Sequence, residues 1–204
     1  MALKLAVLLS GSGTTLQNFI DRIERGELDA EIVCVVGSRK NAYGLERARK
    51  HGIPAIAVHR KDYDDLSMFS SDIWTAVRAH KAELVVLAGF MSLLDIPEDF
   101  EGKIINIHPA LIPAFCGKGM YGHHVYEAVL EYGVKLTGVT VHFADAEYDH
   151  GPIILQEAVP VLDDDTPDSL AERVQAKERD LYPRAVQLIA EGRVKLEGRR
   201  VTVT

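Results

Sequence analysis

Two residues in the stretch 103–113, KIINIHPALIP, are of types that can act together on one reacting group: Asn106 and His108. One residue separates them, so in an extended segment both side chains leave the same face of the strand. A carboxamide offers a hydrogen-bond donor to a developing negative oxygen, and an imidazole offers a proton carrier that works near neutral pH. Pro109 and Pro113 fix the chain as it leaves the strand. The plainer reading is a polar pair packed in a core, because a three-residue motif is short. The surrounding chain has to decide between them.

A second candidate is the turn Ser10-Gly11-Ser12-Gly13-Thr14-Thr15, which follows an apolar run and opens a helix-patterned segment. Such a turn aims unpaired amide N–H groups and the positive end of the helix at whatever lies above it, a suitable seat for phosphate. It is not a dinucleotide fingerprint: Leu16 holds the third glycine position, and no acidic residue follows Gly37-Ser38-Arg39 to take a ribose hydroxyl. It is not a Walker loop either, since no lysine follows Gly13. The readings left are the phosphate of a small substrate or a tight turn alone.

His142 and Asp149, seven apart, flank a polar loop between two long extended runs. Taken singly they are an ordinary strand histidine and an ordinary turn aspartate. Their weight comes from strand-end geometry, because a carboxylate beside an imidazole favours its charged form and suits it to proton transfer. His108, His123, His124, His142 and His150 invite a metal reading, but no H-x-x-H or H-E-x-x-H spacing is present. No metal is expected. Cys116 is a nucleophile by composition and, with no ordered partner visible, a loop thiol by context.

Positioning these groups falls to the elements around them. At 204 residues, 47% of them apolar, the chain can bury one sizeable core, and a single domain over 1–204 is expected. Apolar runs at 3–9, 30–36, 53–58, 84–88 and 103–107 alternate with helical patterns at 14–25, 43–51 and 64–80. That rhythm predicts a Rossmann-like α/β fold: a mostly parallel twisted sheet, helices on both faces, and ligands at the strand ends. After His108 the rhythm changes. A loop at 114–122 leads to a helix at 123–131, then to extended runs at 135–143 and 152–162 that are expected to pair antiparallel. A helical stretch at 167–192 with a break at Pro183 and a hairpin around Gly198 close an antiparallel C-terminal portion.

Twenty-three basic against 30 acidic residues give a net charge of −7, which argues against nucleic-acid and anionic-membrane partners. Two cysteines, Cys34 and Cys116, make neither a disulfide framework nor a zinc quartet. The apolar run at 5–9 is too short for a signal peptide, and a cytoplasmic protein is expected.

Across almost its whole length the chain resembles the folate-dependent glycinamide ribonucleotide formyltransferases of purine biosynthesis. The resemblance runs through LLSGSGTTLQ, SRKNAYGLERA at 38–48, LVVLAGFMSLL at 84–94 and IINIHPALIPAF at 104–115. It continues through LTGVTVHFADAEYDHGPIILQ at 136–156 and AERVQAKERDLYP at 171–183. The Asn–His–Pro stretch and the H-F-x5-D-x-G-P segment are specific together, although other formyl-folate enzymes share them. The resemblance implies the formyltransferase fold, with 1–108 as a parallel phosphate-binding half and 109–204 as a folate-site half. It implies direct transfer of formyl from 10-formyltetrahydrofolate, as co-substrate, to the amine of 5′-phosphoribosylglycinamide through a tetrahedral intermediate. Asn106, His108 and Asp149 would be catalytic, with His142 supporting them. Gly13, Thr14 and Thr15 match the phosphate-binding turn, and Glu178 with Gln175 the glycinamide contact. Met91, Ser92, Leu93, Leu94, Asn106 and Asp145 match the folate pocket. The partners implied are small molecules, with a monomer or homodimer as the assembly.

Two departures remove positive charge near the folate tail: Ser92 and Leu66 stand where relatives carry arginine, and Lys118 is a candidate for compensation. The alternatives are a formyltetrahydrofolate hydrolase, which relatives build with an added N-terminal regulatory domain, and a non-catalytic phosphate- or nucleotide-binding regulator. A methionyl-tRNA formyltransferase is disfavoured by length and by acidic charge.

Overall fold

In the computed structural model, which describes residues 1–204, the chain divides into two compact units, Met1–Ile105 and Asn106–Thr204. The apolar runs of the first unit become strands β1 (Leu3–Leu9), β2 (Ala30–Gly37), β3 (Ala55–Ala57) and β4 (Leu84–Leu87). β1 pairs in parallel with β2 and β4, and β2 pairs in parallel with β3. Leu5, Ala6, Val7, Leu8 and Leu9 are fully buried, as expected of a parallel sheet covered on both faces. Helices α1 (Thr14–Glu24), α2 (Tyr43–Lys50) and α3 (Leu66–Ala79) alternate with these strands. α1 buries Leu16, Phe19 and Ile20, one stripe at helical spacing.

The second unit opens within β5 (Ile104–His108) and continues through α4 (His123–Tyr132), β6 (Leu136–Phe143), β7 (Ile153–Pro160) and α5 (Pro167–Ala190). The seven strands run in the order β3-β2-β1-β4-β5-β6-β7, and β8 (Val194–Glu197) with β9 (Arg200–Val203) forms a separate two-stranded antiparallel sheet. Strand order reverses between β1 and β4, which makes the carboxyl ends of that pair a topological switch point, where open parallel sheets bind ligands. β6 and β7 are antiparallel, with a register shift between Val141 and His142 that skips Ile154 on β7. Such bulges re-aim side chains next to functional sites. Here the re-aimed strand end carries His142.

Three elements differ from expectation. β3 covers only Ala55–Ala57; it lies at the sheet edge with β2 as its sole partner, so just three residues find a register. α3 begins at Leu66 because the Asp65 carboxylate accepts from Ser67 N–H at 2.7 Å and caps it there. α5 runs unbroken through Pro183. An interior proline costs roughly 3 kcal/mol, but Pro183 is buried beside Leu181, Tyr182, Ala185 and Val186, and burial of that stripe offsets the lost hydrogen bond. A capping box between Thr166 and Ser169, with Pro167 at the first turn, fixes where α5 starts.

Candidate active site

Asn106 and His108 leave β5 where it ends, and the second unit closes around them. The Asp149 carboxylate lies 3.4 Å from His108 Nδ1 through one oxygen. Its other oxygen accepts from Asn106 Nδ2 at 3.4 Å and lies 3.8 Å from His142 Nε2. Gly117 N–H donates to the oxygen facing His108 at 2.9 Å. An amide, two imidazoles and a carboxylate from β5, β6 and the β6–β7 loop therefore share one small volume. His108 and His142 are buried.

The hydrogen-bond partners fix the roles of the polar atoms. His142 Nδ1 lies 2.8 Å from Phe143 O, so it carries a hydrogen and leaves Nε2 to accept from Asn106 Nδ2 at 3.2 Å. Burial holds His142 below the usual histidine range, against the opposing pull of the Phe143 carbonyl and Asp149. A neutral His142 and the carboxylate thus orient the Asn106 amide with its NH2 toward both. His108 Nε2 donates to Phe115 O at 2.8 Å, so backbone from the 114–122 loop reaches the ring's second nitrogen.

Sharp backbone turns hold this cluster. Asp149 has φ +53° and Phe115 φ +50°, left-handed conformations that side chains other than glycine seldom adopt. A Cβ on Gly151 would lie 1.8 Å from Phe143 O, so only glycine lets the β6–β7 loop close at that point. The Asp145 carboxylate accepts from Glu147 N–H at 2.9 Å and from His150 Nδ1 at 2.7 Å. Its oxygens are spent on the loop itself.

In the first unit, Gly13 (φ +73°) is the N-cap of α1, with Thr14 and Thr15 as its first residues and no side chain capping their amides. A Cβ on Gly13 would meet the Gly44 Cα at 2.6 Å, so α2 packs directly against the turn. Arg47 of α2 donates to Ser12 O at 2.9 Å and to Gln17 Oε1 at 3.0 Å. Ser10 Oγ shares a 2.6 Å hydrogen bond with Ser38 Oγ and accepts from Met91 N–H at 2.9 Å. The hydroxyl thereby ties the turn to Met91–Leu94, which is further held by Asp95 N–H donating to Ser70 Oγ and Trp74 Nε1–H donating to Asp95 O. Leu66 is the first residue of α3 and Ser92 is partly buried. Arg60 lies over the Phe69 ring, which stacks on Phe90, so one cation stands near that segment.

Glu178 and Gln175 lie three apart on one face of α5. Glu178 keeps part of its side chain open to solvent, yet desolvation pushes its carboxyl up to about 7, with Arg179 pulling the other way. The buried Tyr126 phenol beside them is raised by burial first and by Glu178 second. Cys116 is raised by burial and by Asp149, which makes it a poor nucleophile. No group of three or more His, Cys, Asp or Glu side chains is arranged to hold a metal ion.

Sequence reasoning named the side chains that converge, and Ser10 within the phosphate turn, but missed Phe115 O, Gly117 N–H, Ser38, Gly44 and Arg47. Backbone groups carry no type signature. Gly44 alone left a trace, as a glycine inside a helical pattern.

A parallel sheet with a switch point, a strand-end Asn–His pair and a loop carboxylate define a class, and the comparisons give it its name. The Formyl transferase family matches residues 3–186, and this chain belongs to that family. It is similar to glycinamide ribonucleotide transformylase 1 from Symbiobacterium toebii: TM-score 0.92 and 43% identity, over 99% of this chain and 94% of that one. It is 44% identical over 195 residues to the trifunctional purine biosynthetic protein adenosine-3 of Gallus gallus, covering 95% of this chain but only 19% of that relative's length. A formyltetrahydrofolate deformylase from Pseudomonas syringae has the same fold, at TM-score 0.87 and 27% identity over 100% of this chain and 66% of that one. Fold alone therefore does not separate transfer from hydrolysis.

Proposed function

We propose that this protein transfers the formyl group of 10-formyltetrahydrofolate to the amine of 5′-phosphoribosylglycinamide, a step of purine biosynthesis. The observation that carries the reading is the convergence of Asn106, His108 and Asp149 within hydrogen-bonding reach, in a chain so similar to a glycinamide ribonucleotide transformylase. The substrate amine attacks the formyl carbon and a tetrahedral intermediate forms. Asn106 Nδ2 donates to the oxygen as it becomes negative, giving up its longer contact, the one to Asp149. His108, its Nδ1 facing the Asp149 carboxylate at 3.4 Å, stabilises that oxygen and moves the proton lost by the amine to the departing folate nitrogen. To reach substrate, His108 Nε2 exchanges Phe115 O for a group of the reactants. His142, neutral, keeps the Asn106 amide oriented.

The amide N–H groups of Gly13, Thr14 and Thr15 take the substrate phosphate, a seat supported by the uncapped start of α1. Glu178 and Gln175 hold the glycinamide. Met91, Ser92, Leu93 and Leu94 form one wall for the folate. Asp145, whose carboxylate is engaged within its own loop, serves the folate by shaping that loop. The protein works on small molecules in the cytoplasm, as one domain in monomeric or homodimeric form.

Incubation with formyl-labelled donor, with and without the glycinamide ribonucleotide, tests the reaction. Label on the amine is expected; label released as free formate would name a hydrolase instead. Replacing Asn106 or His108 by alanine should lower kcat by about 10²–10³-fold with donor binding retained. Unchanged turnover in both variants would point to a binding protein.

A further inference from the structure

The loop that carries Asp149 is held from outside by a residue 49 positions away. Arg199, in the turn between β8 and β9, donates from Nη2 to the backbone oxygen of His150 at 2.7 Å. Its Nη1 lies 3.3 Å from Nε2 and 3.5 Å from Nδ1 of His150, almost equidistant, so the guanidinium lies over the imidazole ring. The same ring places Nδ1 2.7 Å from Asp145 Oδ2, and Asp145 in turn accepts from Glu147 N–H. The ring nitrogen Nδ1 faces the Asp145 carboxylate, and the ring face is left for the Arg199 guanidinium. The terminal hairpin packs on β7, so Arg199 is anchored to the strand that leaves the loop.

Every part of this arrangement bears on one peptide unit. Asp149 precedes His150 and sits at φ +53°, a left-handed conformation that is strained for a residue with a side chain. Its carboxylate meets His108, Asn106 and Gly117 only while that conformation persists. On the far side, Gly151 is locked by its close approach to Phe143 O. On the near side, residues 145 and 150 are joined through the imidazole. The carbonyl of residue 150 is the remaining free handle, and Arg199 grips it.

We propose that Arg199 of the C-terminal hairpin is a positioning residue for the reaction: through His150 it holds the 144–150 loop so that Asp149 faces His108 and the loop keeps the shape it presents to the folate. This rests on the formyl-transfer reading above. A planar guanidinium suits the task, because one group must donate to a carbonyl and lie over an imidazole together.

The test compares Arg199→Ala and Arg199→Lys with the parent enzyme, in steady-state kinetics for both substrates and in hydrogen exchange of amides 145–151. Arg199→Ala should raise the donor KM and lower kcat, together about tenfold or more in kcat/KM. The glycinamide substrate's KM should stay unchanged. Arg199→Lys should recover part of the loss, since an ammonium can still meet the carbonyl. Exchange at 145–151 should quicken in the alanine variant while the rest of the second unit keeps its protection. Equal rises in both KM values, a Tm drop with general loss of protection, or unaltered exchange in the loop would each overturn the proposal. A parent protein that transfers no formyl would sink the formyl-transfer reading instead, and the exchange comparison would still report on the clamp.

Discussion

At the scale of single residues, the site depends on which groups are kept neutral and which are kept charged. His142 is held neutral by burial, and only in that form can its Nε2 accept from the Asn106 amide. Glu178 is pushed the same way, toward its neutral form. Its carboxyl titrates near 7 in the folded chain against an ordinary value of 4.5, for reasons of desolvation. A carboxyl raised on folding binds its proton more tightly in the native state, so between those values stability falls as pH rises. Glu178→Gln should remove that dependence and raise stability at pH 8 by roughly 1–2 kcal/mol, allowing for the partly exposed side chain. The same variant should raise the KM for the glycinamide substrate. Thermal melts from pH 5 to 8 check the first expectation; a variant that melts below the parent at pH 8 contradicts it. The Asn–His pair was legible in the sequence because strand periodicity places alternate side chains on one face. The tautomer of His142 was not, because it depends on a carbonyl that only the fold brings near.

Among the elements, the β6–β7 connection carries the greatest constraint. A register shift at His142 and the left-handed Asp149 fall within a few residues of each other, and Gly151 closes the loop where any side chain would strike Phe143 O. Gly151→Ala should cost roughly 2–3 kcal/mol of stability, because the neighbour it strikes is backbone in a paired strand. Turnover should fall with it, as Asp149 is displaced. Chemical denaturation alongside kcat decides the matter, and a variant with parental stability would show that the loop has room to give. α5 teaches a different lesson. The proline rule predicts a break at Pro183, yet the helix continues because its buried stripe outweighs one missing hydrogen bond. Propensity is local, and packing overrode it.

For the whole molecule, charge sets the terms. A net charge of −7 would repel both the phosphorylated substrate and the polyglutamylated folate proposed above, so attraction must come from local groups. The uncapped start of α1 supplies one such place. Near Met91–Leu94, the proposed folate wall, the cations are few: Ser92 and Leu66 bring none, and Arg60 already spends Nη1 on Tyr63 O and its face on Phe69. Donors carrying one or several glutamates should therefore show KM values within about threefold of one another at physiological ionic strength. A strong preference for the long tail would mean that another cation, such as Lys118, reaches it.

The sequence by itself determined the succession of strands and helices, the strand-end pairing of Asn106 with His108, and the helix-opening turn at residues 10–15. Each of these follows from spacing between near neighbours, which the order of residues contains in full. Only the tertiary structure decided that Phe115 O and Gly117 N–H complete the site, that Pro183 stays helical, and that Arg199 grips the loop of Asp149. Those outcomes join backbone groups and side chains far apart along the chain, and they are selected by burial and close fit, which no local spacing records.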